Sequence, residues 1–578
     1  MKSAGNLWYQ RYHKQIALFS LSACVCAVYL FSLCPTVYLI DSGELAGVSW
    51  TLGIAHPTGY PLYTLISYFF AHLPGEPIKN LNILSAVFSL IALIFLYLSI
   101  IKITNNKVIA VLIASLYAFS PTIWRVSITN EVYPLTGLFC ILLLYLLFTL
   151  RDIKGYYFLM FLMGLSFTNH FSIFSLALPI FFYLLIAFRP SLKQIIIGIG
   201  FSLVGISLYL YLLFRTQGGA ELAWGNTCNL QRLFWHLSGR QYQVWMFSLT
   251  LEEIFANLKE GVGFLLRDYL YIFIFFPIAG FYFLFKNIPR LFWLFFIAFL
   301  LNLLYTINYA IPDIEPYYIP GLVALLITSS YGLKNFQRFL KSFLTIPIVI
   351  FLIVLNYRDC SLRNNYFGLD YAHSHIAQLP LNSLLICSYW DIYSPTIYLR
   401  KVRGLYKDLI IIDKELLRRT WYLDYLKREY PEFYQRVEPD INEYLTELYK
   451  FEYGIPYNPY TIQEKYIKMI EGFVSVKESV GVFFALPFPD RDLNQVKPDY
   501  YRIPYGLNYF ITRDTVKIAF DFSKISIRMP SLINDRRLGY DFGMVKNMVN
   551  NNIIYLNTIK NFPAAEQARL WLKRFTQQ

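Results

Sequence analysis

Asp41 and Glu44 stand three residues apart in the stretch DSGELAGVSWTLGIAHPTGYPLY, directly after an apolar run of 25 residues at 16–40. On a helix that spacing puts both carboxylates on one face. Acids at the edge of an apolar run are costly to keep, and their default reading is functional. A carboxyl whose pKa is raised by such a boundary is suited to act as a general base toward a hydroxyl. The structural alternative is a helix cap, with Asp41 or Ser42 at the N-terminus and Glu44 in the first turn. Spacing alone does not separate the two. The next segment, His56-Pro57-Thr58-Gly59-Tyr60-Pro61, is a turn that two prolines and a glycine make rigid, and 62–73 is too short to span a bilayer and suits its interface. A divalent metal could use these acids and histidines, although two carboxylates with scattered histidines are a sparse pattern.

Other ionisable and aromatic residues collect in the later loops on the same side. They include Trp124, Arg125, Glu131, Tyr133 and Pro134, then the tip Thr168-Asn169-His170. Arg215 opens a long loop, 215–262, that holds Trp224-Gly225-Asn226 and FWHLSGRQY with Arg240; a further loop reads NYAIPDIE at 308–315. Taken singly, each residue reads as an interfacial anchor or a capping partner. Gathered from five loops at one face, they have the makings of a binding site.

The elements that must position these residues are membrane helices. The chain is 56% hydrophobic, 19% aromatic and only 15% charged, against roughly 25% charged in an ordinary soluble chain. Apolar runs at about 16–40, 82–101, 108–124, 132–150, 156–168, 171–188, 195–214, 264–285, 291–309, 317–333 and 343–355 predict about eleven spans, the fifth and sixth of which could form one broken hairpin. With a cytoplasmic N-terminus, every inner segment carries two or three basic residues, from Lys2, Arg11 and Lys14 through Lys102, Lys107, Arg151, Lys154, Arg189, Lys193, Lys286 and Arg290 to Lys334, Arg338 and Lys341. Asp152 is the only acid among them, which is the positive-inside pattern. The net charge of +14 is thus accounted for without nucleic acid. Seven cysteines show neither metal-ligand spacing nor a disulfide framework. The first apolar run is too long, and lacks the small-residue cleavage site, for a cleavable signal peptide.

An odd span count puts everything after 355 outside. From Asn356 onward the chain has 30 basic and 25 acidic residues and reads as soluble α/β. Short apolar strands at 383–387, 408–413 and 480–486 alternate with helix-like stretches such as 414–429. The expected organisation is a membrane domain at 1–356 and a soluble extracytoplasmic α/β domain at 357–578, in a multi-pass protein of the cell (inner) membrane.

The DSGE…HPTGYP block resembles the bacterial relatives of the transmembrane protein 260 type of protein O-mannosyltransferase. The resemblance continues through WRVSITNEVYPL, GLSFTNH, the run ending at Arg215, HLSGRQY, NYAIPDIEPYY, NYRDCS, SYWD and RRTWYLDYL. Two departures stand out. Asn226 follows Trp-Gly where the family has an acid, and GLYKD at 404–408 replaces a more usual Arg-Pro-Asp. The resemblance implies the membrane glycosyltransferase C-type architecture, a polyprenyl-phosphate sugar as donor, mannose as the sugar and Ser/Thr hydroxyls of a protein, or a glycan, as acceptor. It implies Asp41 as the catalytic acid-base residue, with Glu44 holding the acceptor or tuning Asp41. Arg215 suits the donor phosphate best, because a guanidinium forks onto phosphate oxygens. His56, Tyr60, Arg125, Glu131, His170 and Arg240 complete the expected substrate-binding set, and the resemblance itself implies no cofactor.

The rival reading is a transporter or flippase of lipid-linked sugars. Such a protein would keep its ionisable residues near the bilayer midplane and show repeat symmetry. Here they lie at one face, and no internal repeat is visible. A membrane-anchored binding protein built around the α/β half would leave the loop chemistry unexplained.

Overall fold

The computed structural model describes residues 2–337, 343, 345–485, 490–530 and 536–577, with side chains from residue 12 onward. Arg338, Lys341 and Leu486 lie outside the described residues, as do the side chains of Lys2 and Arg11. The chain forms two compact units, one of Met1–Leu33, Ile54–Gly218 and Thr227–Arg363 and one of Cys34–Gly53, Gly219–Asn226 and Asn364–Gln578. The division therefore differs from a single boundary at 356/357: two short segments of the N-terminal half are built into the C-terminal unit.

The first unit is helical. Among the described residues, four helices are long and apolar enough to cross a membrane: Tyr12–Ser32, Pro77–Thr104, Leu192–Gln217 and Pro289–Ile307. A fifth is counted if Lys107–Phe119 and Pro121–Ser127, bent by 62°, are one span. The bend has a local cause, since Ser120 precedes a proline and is driven to extended backbone at φ −67 and ψ 139. Other apolar runs form shorter helices, such as Tyr133–Thr149 and Ile153–Phe167. At about 1.5 Å per residue, 15 to 17 residues reach about 25 Å, less than the ~30 Å of a hydrocarbon core.

Two expected spans are interrupted. The run 16–40 is not one helix: Lys2–Ser32 stops ahead of Pro35, and residues from Cys34 on join the other unit. The run 264–285 divides because Leu251–Asp268 ends at a turn in which Leu270 and Tyr271 take φ of 47 and 59, and Phe275–Asn287 begins anew. Asp268 anchors that break by accepting the Thr122 amide at 3.1 Å. Glycines let helices touch backbone to backbone. A Cβ on Gly164 would lie 2.0 Å from the Ser202 carbonyl, and one on Gly280 would lie 2.0 Å from that of Thr328. The helix Ile319–Asn335 is buried from Ile319 to Leu333, as expected of a helix that is apolar all round.

The second unit carries a five-stranded sheet of β1 (Leu384–Cys387), β2 (Ile410–Asp413), β3 (Val482–Ala485), β4 (Tyr501–Tyr505) and β5 (Asn508–Thr512), in the order β2-β1-β3-β5-β4. β1 is parallel to β2 and β3, while β5 is antiparallel to β3 and β4. The expected strands at 383–387, 408–413 and 480–486 correspond to β1, β2 and β3. The hairpin β4–β5 escapes sequence patterning because Pro504 interrupts it; a proline is tolerated there because β4 is an edge strand. The expected helix at 414–429 is a 3-10 turn, Leu416–Arg418, followed by Thr420–Glu429. At the carboxyl end of β2, Lys414 is buried and paired with Glu415, Asp490 and Asp492 at 2.9 to 3.0 Å, a satisfied structural network.

Candidate active site

Asp41 belongs to the second unit, where it precedes the helix Ser42–Thr51. It takes the N-cap position, yet its side chain makes no capping hydrogen bond. Instead Oδ1 accepts the indole N–H of Trp390 at 2.8 Å. Trp390 opens the helix Trp390–Ile397, directly after the turn at the carboxyl end of β1, which is where open parallel sheets present their functional side chains. The neighbouring Asp391 is fully buried. Its Oδ1 accepts the Ile40 amide at 2.7 Å, and its other oxygen pairs with Arg537. Ile40 needs this support, since a β-branched residue at φ 60 is strained by about 1–3 kcal/mol.

Glu44 is only 2% exposed, and its amide donates to Ser394 Oγ at 3.1 Å. Its place in the first turn lets the helix dipole favour the charge. Carboxylate oxygens of Asp41 and Glu44 lie within 4.8 Å of each other, so the pair can grip one hydroxyl or share one cation. The two residues between them have structural work. Ser42 Oγ accepts the Tyr38 amide at 3.2 Å, and a Cβ on Gly43 would lie 2.1 Å from the Ser394 carbonyl oxygen. Gly47 repeats the close approach one turn on, at 2.7 Å from Ile397 Cγ2. The glycine pair four residues apart was the sequence signal for this docking.

Trp224 stands beside Trp390, with ring centroids 5.7 Å apart at 81°, and against Trp421 at 4.8 Å. Asn226, in place of the family's acid, has φ 44 and donates from Nδ2 to Asp424 at 2.9 Å. Asparagine suits both roles, because it tolerates the left-handed region and supplies a donor that a carboxylate lacks. In the GLYKD turn, Tyr406 hydrogen-bonds His373 at 2.6 Å.

The remaining candidates lie in the first unit. His56 Nε2 is 2.8 Å from the Tyr60 hydroxyl, and Tyr60 stacks on His170 with centroids 5.9 Å apart. His170 also packs on Tyr133 and Tyr317 at 5.2 and 4.9 Å. Its Nδ1 accepts the Ser172 amide at 3.2 Å, so the neutral ring carries its proton on Nε2. His236, which sequence reasoning passed over in favour of Arg240 in the same motif, joins this group beside Gly59. Burial, with the adjacent His56 second, pushes both His170 and His236 down to about 3.

The other candidates have contacts of their own. Arg125 donates to the Asp359 carbonyl from Nε and Nη2 at 3.3 and 3.2 Å, and Arg240 lies over the Trp235 ring at 4.1 Å. Glu131 is buried, its amide directed to Ser85 Oγ at 3.4 Å. Arg215, half-buried in the last turn of Leu210–Gln217, hydrogen-bonds Tyr211. Arg267, Asp268 and Glu315 form a further group; Glu315 belongs to the NYAIPDIE loop, while Arg267 and Asp268 were hidden because they fall within the apolar run 264–285.

The crystal structure of ArnT from Cupriavidus metallidurans bound to undecaprenyl phosphate superposes with a TM-score of 0.53, over 86% of this chain and 98% of that one, at 11% identity, so the fold is shared. Residues 41–194 match the family model for the protein O-mannosyl-transferase TMEM260 N-terminal domain, a match that begins at Asp41 itself. The chain is 25% identical over 483 residues to the protein O-mannosyl-transferase tmem260 of Dictyostelium discoideum, covering 69% of this chain and 58% of that one. It is 24% identical over 455 residues to TMEM260 of Mus musculus, with coverages of 71% and 64%. The chain spans about six tenths of the length of these relatives. Over these stretches the chain is similar to the TMEM260 type of protein O-mannosyl-transferase.

Proposed function

We propose that this protein is an inverting membrane glycosyltransferase that moves a sugar, mannose by its relatives' name, from a polyprenyl-phosphate carrier to a Ser/Thr hydroxyl of an extracytoplasmic protein. The observation that carries this reading is that Asp41 sits at a helix N-cap without capping it, its carboxylate engaged by the Trp390 indole instead. A carboxylate committed to a cap would be a structural group; this one is presented for chemistry.

In the proposed step, Asp41 takes the proton of the acceptor hydroxyl as that oxygen bonds to the anomeric carbon. The bond from that carbon to the phosphate oxygen breaks on the opposite face, and polyprenyl phosphate leaves with the electron pair. Glu44 orients the acceptor, and Arg215 holds the donor phosphate. The reading includes about eleven spans in the cell membrane, a cytoplasmic N-terminus and an outward C-terminal half, so that donor headgroup and acceptor meet on the outer side.

Asp41→Asn tests the reading in purified protein supplied with undecaprenyl-phosphate mannose and a Ser/Thr peptide. Transfer should fall by roughly 10² to 10⁴, the usual cost of losing a general base, while donor binding persists. Undiminished turnover would remove Asp41 from the mechanism. A wild-type protein that binds no such donor and transfers no sugar would overturn the whole assignment.

A further inference from the structure

We infer that Trp390 and Asp391, in the C-terminal unit, are positioning residues for Asp41, so that the α/β unit completes the catalytic base as well as serving the acceptor. The inference rests on the function proposed above. It stands on three contacts of one turn. Trp390 Nε1 donates to Asp41 Oδ1 at 2.8 Å, Asp391 Oδ1 accepts the Ile40 amide at 2.7 Å, and Ser394 Oγ accepts the Glu44 amide at 3.1 Å. Residues 40, 41 and 44 are therefore gripped by residues 391, 390 and 394 respectively.

The grip is itself supported. Asp391 is fully buried and paired with Arg537 of the helix Arg536–Thr558, and Trp224 packs edge-on against Trp390. Gly368 permits a close approach to the segment that leads into the motif, since a Cβ there would lie 2.9 Å from the Val37 carbonyl oxygen. A side chain that merely filled space would not need an N–H aimed at a carboxylate. An N–H donor favours the ionised form and fixes one oxygen, leaving the orientation of the carboxylate defined.

Trp390→Phe removes the donor and keeps the ring. Glu44 on the same helix lies within 4.8 Å of the Asp41 carboxylate, and Asp391, paired with Arg537, is next to Trp390; all three are unchanged in this variant. With undecaprenyl-phosphate mannose and a Ser/Thr peptide, kcat should fall about tenfold at neutral pH with little change in KM for the donor. The acidic limb of the pH profile should move up by about one unit, because a carboxylate that loses a donor to its charged form titrates higher. An unchanged profile in an active enzyme would overturn the positioning role while leaving the function intact.

A second measurement does not depend on turnover. Asp391→Ala should raise hydrogen–deuterium exchange in the peptide covering 38–45 at least tenfold over wild type, with exchange in the helical unit unchanged. Unaltered exchange in 38–45 for both variants would overturn the inference even if the wild type proved to transfer no sugar. Absence of transfer combined with the exchange change would refute the function alone.

Discussion

Gly59 stands where any other residue would press on His236: a Cβ there would come 3.0 Å from His236 Nε2 and 2.7 Å from Leu212 Cδ1. The same glycine holds φ 89, a conformation that costs an L residue about 1–2 kcal/mol. The HPTGYP turn thus owes its middle residue to two demands at once. Gly59→Ala should lower stability by about 2–5 kcal/mol once overpacking is added. Thermal unfolding in detergent reads this directly, and a midpoint within a degree of wild type would refute it.

The two buried histidines of that region give a pH prediction. His170 and His236 are held down at about 3 when folded, against about 6.5 in the unfolded chain. On acidification the unfolded chain binds protons first. The stability they support is therefore intact above about pH 6.5 and is lost as pH falls from there toward 3. The slope is about 1.4 kcal/mol per pH unit for each residue, or about 2 kcal/mol each between pH 7 and 5. His236→Gln should remove about half of that dependence in a comparison of unfolding midpoints at the two pH values.

Gly43 offers a contrast with a glycine of no consequence. Gly43→Ala forces the helix Ser42–Thr51 away from Ser394, whose carbonyl oxygen would lie 2.1 Å from the new carbon. Transfer should fall at least tenfold, with the helical unit unaltered. Gly263, in the helix Leu251–Asp268, has nothing within 4 Å of an added Cβ. Gly263→Ala should leave activity unchanged and raise stability by about 0.5–1 kcal/mol.

Arg215→Lys separates a phosphate ligand from a headgroup anchor. Lysine keeps the charge and loses the fork, so a bidentate contact weakens while a simple attraction persists. Binding of undecaprenyl-phosphate mannose should weaken about tenfold or more at normal expression. Unchanged affinity would release Arg215 from the donor site.

How much of this was legible depended on distance along the chain. The apolar runs, the DSGE block and the three parallel strands carry local patterns, and each was readable. The interruptions at Ser32 and at 269–274 were not, because hydropathy does not register where a helix must turn to meet a partner such as Thr122. The hairpin β4–β5 was hidden by Pro504, whose tolerance depends on its being at a sheet edge. Within the candidate site, type and spacing drew attention to Asp41 and Glu44, although a helix cap read equally well until Asp41 was seen not to cap. Trp390 was not, since nothing local ties it to a carboxylate 349 residues earlier. His236 lies inside the HLSGRQY motif, but its burial beside His56 is a tertiary fact.

The residues that grip Asp41 are made late. At roughly 5–20 residues per second, the ribosome needs on the order of 20–70 s to travel the 349 positions from Asp41 to Trp390. Through that interval the helix Ser42–Thr51 has neither the turn that holds its first residues nor the sheet that carries the turn. A chain truncated anywhere before β1 would keep the DSGE motif and lack the side chains that orient it. On the function proposed above, synthesis order acts as a safeguard, since a nascent or broken polypeptide carries the carboxylate of Asp41 without its aim until the last third of the molecule is made.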